Sequence, residues 1–210
     1  MADTLREFQE ALLSVDVMKS RLILSEATKL ETLEQLTETL IVNALENIGN
    51  GWEKGEYALA QVYMSGKICE ELVETFLPSG SCQRKSDPKM AIALLNDYHA
   101  LGKRIVYSAL RAGGFDLLDY GRVTVEELVQ RIIDDGIEVI LISVLMFPSA
   151  LHVKEVKDRL VQNGSTVKII VGGAPFRLDP LLWQQVGADA VGYTASDAIK
   201  IVRSMMAGGA

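Results

Sequence analysis

Asp97-Tyr98-His99-Ala100-Leu101-Gly102 sets a carboxylate, an imidazole and a glycine between an apolar run and a helical pattern. The run Met90-Ala91-Ile92-Ala93-Leu94-Leu95-Asn96 reads as a buried parallel strand, and Lys103 to Ala112 as the helix after it. His99 therefore projects from the loop at a strand's carboxyl end, where α/β proteins bind their ligands. One imidazole there could ligate a metal. The commoner case is a polar loop residue capping the next helix, because histidines that hold metals usually have further ligands nearby.

What those residues can reach depends on the elements around them. Strand candidates are Met90 to Asn96, Phe115 to Tyr120, Glu138 to Leu145, Val167 to Gly172 and Ala190 to Tyr193. Helix-length segments such as Val125 to Asp134 and Ala150 to Gln162 separate them, so the strands form a parallel sheet. Runs such as Val139-Ile140-Leu141-Ile142 are almost wholly apolar, which predicts helices on both faces. The expected fold is a Rossmann-like, flavodoxin-like doubly wound domain with five strands. Its carboxyl ends offer Asp97 and His99, then Ser143 and Ser149, then Gly172-Gly173. No GxGxxG follows the first strand and no GxxxxGK[ST] occurs, which argues against dinucleotide and P-loop sites. A phospho-receiver would need acid at the third strand end, where Ser143-Val144-Leu145 stands instead.

Before residue 80 the pattern is helical. Leu5, Phe8, Leu12 and Leu13 mark one apolar face, Leu33, Leu36, Leu40, Ile41 and Leu45 a second, and Leu59, Val62, Tyr63, Ile68, Leu72 and Val73 a third helix from about Tyr57 to Phe76. Three or four helices with short connections make a small antiparallel bundle. Proline, glycine and serine then cluster in Leu77-Pro78-Ser79-Gly80-Ser81-Cys82-Gln83-Arg84-Lys85-Ser86-Asp87-Pro88. The expected organisation is a helical bundle at 1–77, a linker at 78–88 and the sheet domain at 89–210.

Composition narrows the function classes. The chain has 210 residues, 49% of them hydrophobic, enough for a substantial core. A net charge of -7 with scattered lysines and arginines argues against nucleic acid. Cys69 and Cys82 form no CxxC pair, so neither a disulfide framework nor a thiolate zinc site is indicated. No signal-peptide core and no membrane-length apolar run is visible, so a cytoplasmic protein without a membrane partner is expected.

Taken as an ordered set, Asp97-Tyr98-His99-Ala100-Leu101-Gly102, Ser143-Val144-Leu145 and Gly172-Gly173 resemble the DxHxxG, SxL and GG motifs of the cobalamin-binding domain of corrinoid methyltransferase proteins and methionine synthase. Gly51-Trp52-Glu53-Lys54-Gly55-Glu56-Tyr57-Ala58-Leu59 looks like that family's helical cap motif, so the resemblance covers essentially the whole chain.

The resemblance implies cobalamin as cofactor, passing between methylcobalamin and cob(I)alamin. His99 would displace the cofactor's dimethylbenzimidazole and ligate cobalt from below. Asp97, and Ser149 behind it, would back the ring and respond to the cobalt's oxidation state. Ser143 and Leu145 would hold the displaced tail, Gly172 and Gly173 would line its slot, and Gly102 would leave room at the entrance. Without the resemblance, Gly172-Gly173 reads as well as a plain strand-to-helix turn. Trp52 and Leu59 would shield the methyl group, although a bundle tryptophan is also ordinary core. The linker would let the cap swing aside as a hinge.

The implied function is a corrinoid methyl carrier. It would work between a substrate-specific methyltransferase and a second methyltransferase with tetrahydrofolate or a thiol cofactor as acceptor, with room for a reductive activase. Methylamines, methanol or methoxylated aromatics are the donors it suggests. The chain is too short to hold the partner enzymes, so turnover is not expected from it alone. Tyr98, Ala100 and Phe147 depart from the family pattern without removing a cobalt or tail contact. A cobalamin-dependent sensor or an adenosylcobalamin mutase subunit is the alternative; the first usually adds a DNA-binding module and the second has no need of the cap. His152 has no motif partner and reads as a surface or packing residue.

Overall fold

The computed structural model describes residues 2–31, 33–76 and 88–207. All of the expected linker except Pro88 lies outside the described residues, as does Cys82. The chain divides into two compact units. One holds the amino-terminal helices together with 108–115, the other the sheet with its remaining helices.

In the helical unit, α1 (Ala2–Leu13) and α2 (Val17–Ala27) are joined by a tight turn in which Val15 takes a left-handed backbone. Asp16 caps α2 by accepting from the Lys19 N–H. Next come α3 (Leu33–Leu36), a π-helical segment (Thr37–Val42) and α4 (Asn43–Glu53), which run on with helical dihedrals at their joins. Then α5 (Leu59–Phe76) completes four helical rods. Phe8, Leu12, Leu24, Ile41, Ile48 and Leu72 fill the core between them. Each such side chain contributes roughly 1.5–3 kcal/mol by leaving water.

The Gly51 to Tyr57 stretch spans the end of α4 and the turn that leads to α5. A Cβ at Gly51 would collide with the Tyr57 ring, and Gly55 takes a φ of 76°. The close approach of the Tyr57 ring calls for the first glycine and the left-handed turn for the second. The end of α6 (Leu101–Ala112) also belongs to this unit. Ser108 donates to Glu70 Oε2 at 2.8 Å, Arg111 to Glu74 Oε2 at 2.7 Å, and Ala112 enters the same core.

The sheet unit is wholly parallel. Its strands are β1 (Met90–Leu95), β2 (Leu118–Val123), β3 (Val139–Ser143), β4 (Lys168–Gly172) and β5 (Ala190–Gly192), in the order β2-β1-β3-β4-β5. The chain leaves β1 toward β2 and returns to lay β3 on the other side of β1. That reversal opens a crevice at the carboxyl ends of β1 and β3, the usual ligand position in such folds. The remaining helices are α7 (Val125–Asp134), α8 (Phe147–Gln162), α9 (Ala174–Leu178), α10 (Leu182–Gln185) and α11 (Ala195–Ala207). A reciprocal Thr124–Glu127 capping box starts α7.

Several boundaries differ from the sequence expectation, most of them by one or two residues. β2 lies at 118–123, an edge strand in which only Tyr120 and Val123 are buried; the apolar run that suggested an earlier start includes Phe115, which belongs to the helical unit. Between Ile92 and Leu94 its pairing slips, with Tyr120 and Gly121 opposing one residue of β1, a bulge that the φ of 66° at Gly121 permits. α8 begins at Phe147 rather than Ala150, since Pro148 sits in the first turn, where a missing N–H costs nothing. α6 starts at Leu101, which puts Gly102 inside the helix.

Candidate functional site

At the crevice β1 ends on Leu95, and Asn96 turns the chain with a left-handed φ of 45°. Asp97 follows with its side chain fully buried, and its carboxylate gathers five donors. Oδ1 accepts from Tyr98 N at 2.6 Å, His99 N at 3.1 Å and His99 Nδ1 at 2.7 Å. Oδ2 accepts from the backbone N–H groups of Leu145 at 2.7 Å and Met146 at 2.9 Å. β1 pairs in register with β3, Leu94 opposite Ser143, and this brings those two amides to the carboxylate.

Burial, the largest single influence, pushes the Asp97 carboxyl up. The N–H groups of Met146 and Leu145 and the ring and N–H of His99 outweigh it and hold the group well below the usual carboxylate range. An ionised carboxylate can only accept, so His99 Nδ1 donates. In the neutral ring Nε2 then carries the lone pair. The His99 side chain is 54% exposed, and among the described residues nothing bonds Nε2. The arrangement is a half-exposed imidazole with its tautomer set and its outer nitrogen ready to bind a metal.

Around it stand large exposed apolar side chains: Tyr98, Leu145, Met146 and Phe147. Such a patch marks a binding surface. The Arg122 guanidinium lies 3.6 Å from the centroid of the Tyr98 ring, a cation–π stack at the rim. Gly102 lies beside Ser143, since a Cβ on it would be 3.8 Å from the Ser143 hydroxyl. Among the described residues that half-buried hydroxyl has no protein partner. Asp97, His99, Gly102, Ser143 and Leu145 are thus brought together.

The Ser149 hydroxyl donates to the Asn96 carbonyl at 2.8 Å rather than to the Asp97 carboxylate, whose oxygens are already occupied by backbone amides and His99. The early start of α8 aims its first turn at the end of β1. Gly172 and Gly173 close the neighbouring strand end. A Cβ on Gly173, at a φ of 127°, would run into the Val144 carbonyl, and one on Gly172 would sit 3.0 Å from the Gly192 carbonyl. Backbone crowding alone demands Gly173 and leaves a tight fit at Gly172. Trp52 is half-buried and Leu59 is 38% exposed, both in the helical unit.

Two contributors carry no sequence signal of their own. The backbone amides of Leu145 and Met146 act without their side chains. Asn96 donates from Nδ2 to His152 Nδ1 at 3.1 Å, giving His152 a partner that no motif suggests.

The site fits a flat, mostly apolar cofactor whose metal needs one protein ligand. Among the described residues no group of three or more His, Cys, Asp or Glu side chains could hold a bare ion. Corrin brings four nitrogens of its own, so a single carboxylate-backed imidazole suffices. Among the described residues no helix is long and apolar enough to cross a membrane.

Comparison with known proteins agrees with this chemistry. Models of the B12 binding domain match residues 89–203 and 4–76. The chain is 29% identical over 214 residues to a monomethylamine corrinoid protein of Methanosarcina barkeri, covering 95% of this chain and 96% of that one. A cobalamin-binding protein from Desulfitobacterium hafniense DCB-2 has the same fold, with a TM-score of 0.75 at 23% identity over 95% of this chain and 97% of that one. A methanol:cobalamin methyltransferase complex from Methanosarcina barkeri includes a chain with this fold, with a TM-score of 0.70 at 23% identity over 98% of this chain and 80% of that one.

Proposed function

The chain belongs to the B12-binding family of corrinoid proteins of methyltransferase systems, with cobalamin as its cofactor, and from that premise we propose that it carries methyl groups with His99 Nε2 as the lower ligand to cobalt. The observation that carries this reading is the buried, ionised Asp97 holding the proton on His99 Nδ1 and leaving Nε2 at the surface. When bound, cobalamin supplies a cobalt centre able to take up and release a methyl group.

The chain's own residues bind and orient. Asp97 holds the proton on Nδ1, so that Nε2 presents its lone pair, and fixes the ring's plane through its own bonds to the amides after β3. The exposed side chains of Tyr98, Leu145, Met146 and Phe147 would give the bound corrin an apolar bed. Ser143 would donate to the displaced nucleotide tail, with Gly102, Gly172 and Gly173 bounding its slot. Trp52 and Leu59 would keep water from the reactive methyl group. Ser149 would act on the loop by holding the Asn96 carbonyl.

The proposed partners are a substrate-specific methyltransferase that delivers the methyl group and a second that removes it to tetrahydrofolate or a thiol, with a reductive activase to restore the reduced cofactor. The methylamine relatives and the methanol complex support one-carbon amines and methanol as the donor class. The deciding experiment is reconstitution with hydroxocobalamin, comparing the absorption spectrum of wild type with H99A. Wild type should show the imidazole-ligated form and H99A should not; equal spectra would remove His99 as the ligand.

A further inference from the structure

We propose that His152 is a positioning residue for His99, acting through Asn96; the inference rests on the reading of His99 as the lower ligand. Asn96 is the corner from which the loop carrying Asp97 and His99 departs. It holds a left-handed backbone, φ 45°, a conformation that asparagine adopts more readily than most residues but that still needs support.

Three bonds supply the support. The Asn96 N–H donates to the Val123 carbonyl at 3.0 Å, its own carbonyl accepts from Ser149 Oγ at 2.8 Å, and its side-chain amide donates to His152 Nδ1 at 3.1 Å. An amide nitrogen has no acceptor capacity, so Nδ1 of His152 accepts. Ser149 and His152 are three residues apart on α8, neighbours on one helix face, and α8 packs against β1. The helix thus grips both the carbonyl and the side chain of one residue. Asp97 is the next residue, and its carboxylate must meet two amides at 2.7 and 2.9 Å while holding the His99 ring. A small rotation at Asn96 would displace all of these together. His152 fixes that rotation, which gives the chain's second histidine a role in ligand geometry without any contact with the cofactor.

The test uses the whole chain with H152A, H152Q, N96G and the double variant H152A/N96G. In the cofactor-free protein, H152A should speed amide hydrogen exchange at Tyr98, His99, Leu145 and Met146 by about 3–10-fold, the loss of one partly buried hydrogen bond, and leave Ile41 in the helical unit unchanged. Hydroxocobalamin should bind H152A more weakly by a similar factor. With the cobalt reduced to the paramagnetic divalent state, the nitrogen splitting from the imidazole should become fractional. In H152Q the Gln side-chain oxygen can accept from Asn96, and each readout should return to within about twofold of wild type. N96G tolerates the backbone but lacks the amide, so it should match H152A, and the double variant should lose nothing more.

Unchanged exchange and binding in H152A would overturn the proposal, as would a defect that H152Q leaves in place or one that adds to N96G. Wild type without nitrogen splitting would instead overturn the lower-ligand reading, and the exchange comparison would still decide the role of His152.

Discussion

Asp97 and Asp189 lie at opposite ends of the same sheet, and both carboxyls are held below their ordinary range by different means. For Asp189 burial pushes up, while the Ile169 N–H at 2.9 Å and the ammonium groups of Lys168 at 3.1 Å and Lys157 at 3.3 Å pull down. That is a neutralised group joining the starts of β4 and β5. Asp97 has no lysine or arginine partner among the described residues. It is stabilised by four backbone N–H groups and one imidazole. Cations cancel a carboxylate's charge, whereas amide dipoles stabilise it and leave it in place. One aspartate fastens the sheet; the other keeps a full negative charge directed at a histidine.

Removing each in turn should separate the two roles. D97A should be the most damaging change: it strands the amides of Leu145 and Met146 in a buried place and frees the His99 ring. A loss of about 3 kcal/mol in urea unfolding is expected, together with loss of the imidazole-ligated spectrum. Acid should reproduce part of this in wild type. Because the folded carboxyl lies below its unfolded value of about 3.9, its contribution is complete above that value and is lost as pH falls below it. Urea midpoints from pH 6 to pH 3 should therefore fall more steeply for wild type than for D97A.

D189N should lower stability by only about 1 kcal/mol and leave hydroxocobalamin binding unchanged, since Lys168 is largely exposed and can turn to water. H99A inverts that pattern. The half-exposed ring carries little of the fold, so unfolding should move by less than about 0.5 kcal/mol, while cobalamin binding should weaken on the order of tenfold or more. The smallest effect belongs to S143A: stability within about 0.5 kcal/mol of wild type and a several-fold loss of cobalamin affinity in titration. If D97A proved no worse than D189N, the distinction between the two carboxylates would collapse.

Much of this was legible from residue order. Apolar runs alternating with helical patterns gave the parallel sheet, because a buried parallel strand leaves little room for polar residues, whereas the strand order that makes the switch point came from the structure. Asp97 and His99 stood out by their place after the first strand, and the roles of Gly102 and Ser143 came only through the resemblance to the family's motifs. β2 was misplaced, since an edge strand keeps polar residues on its open side. His152 looked inert because its partner lies 56 residues away on another element.

The sequence by itself determined which groups stand at the carboxyl ends of the strands and that an Asp–His pair is among them. Only the tertiary structure decided what acts on that pair. The register of β1 on β3 selects the amides of Leu145 and Met146 as donors to Asp97, and the start of α8 turns Ser149 and His152 onto Asn96. Every residue except proline carries the same N–H, so nothing in the order of side chains could mark which amides would meet the carboxylate.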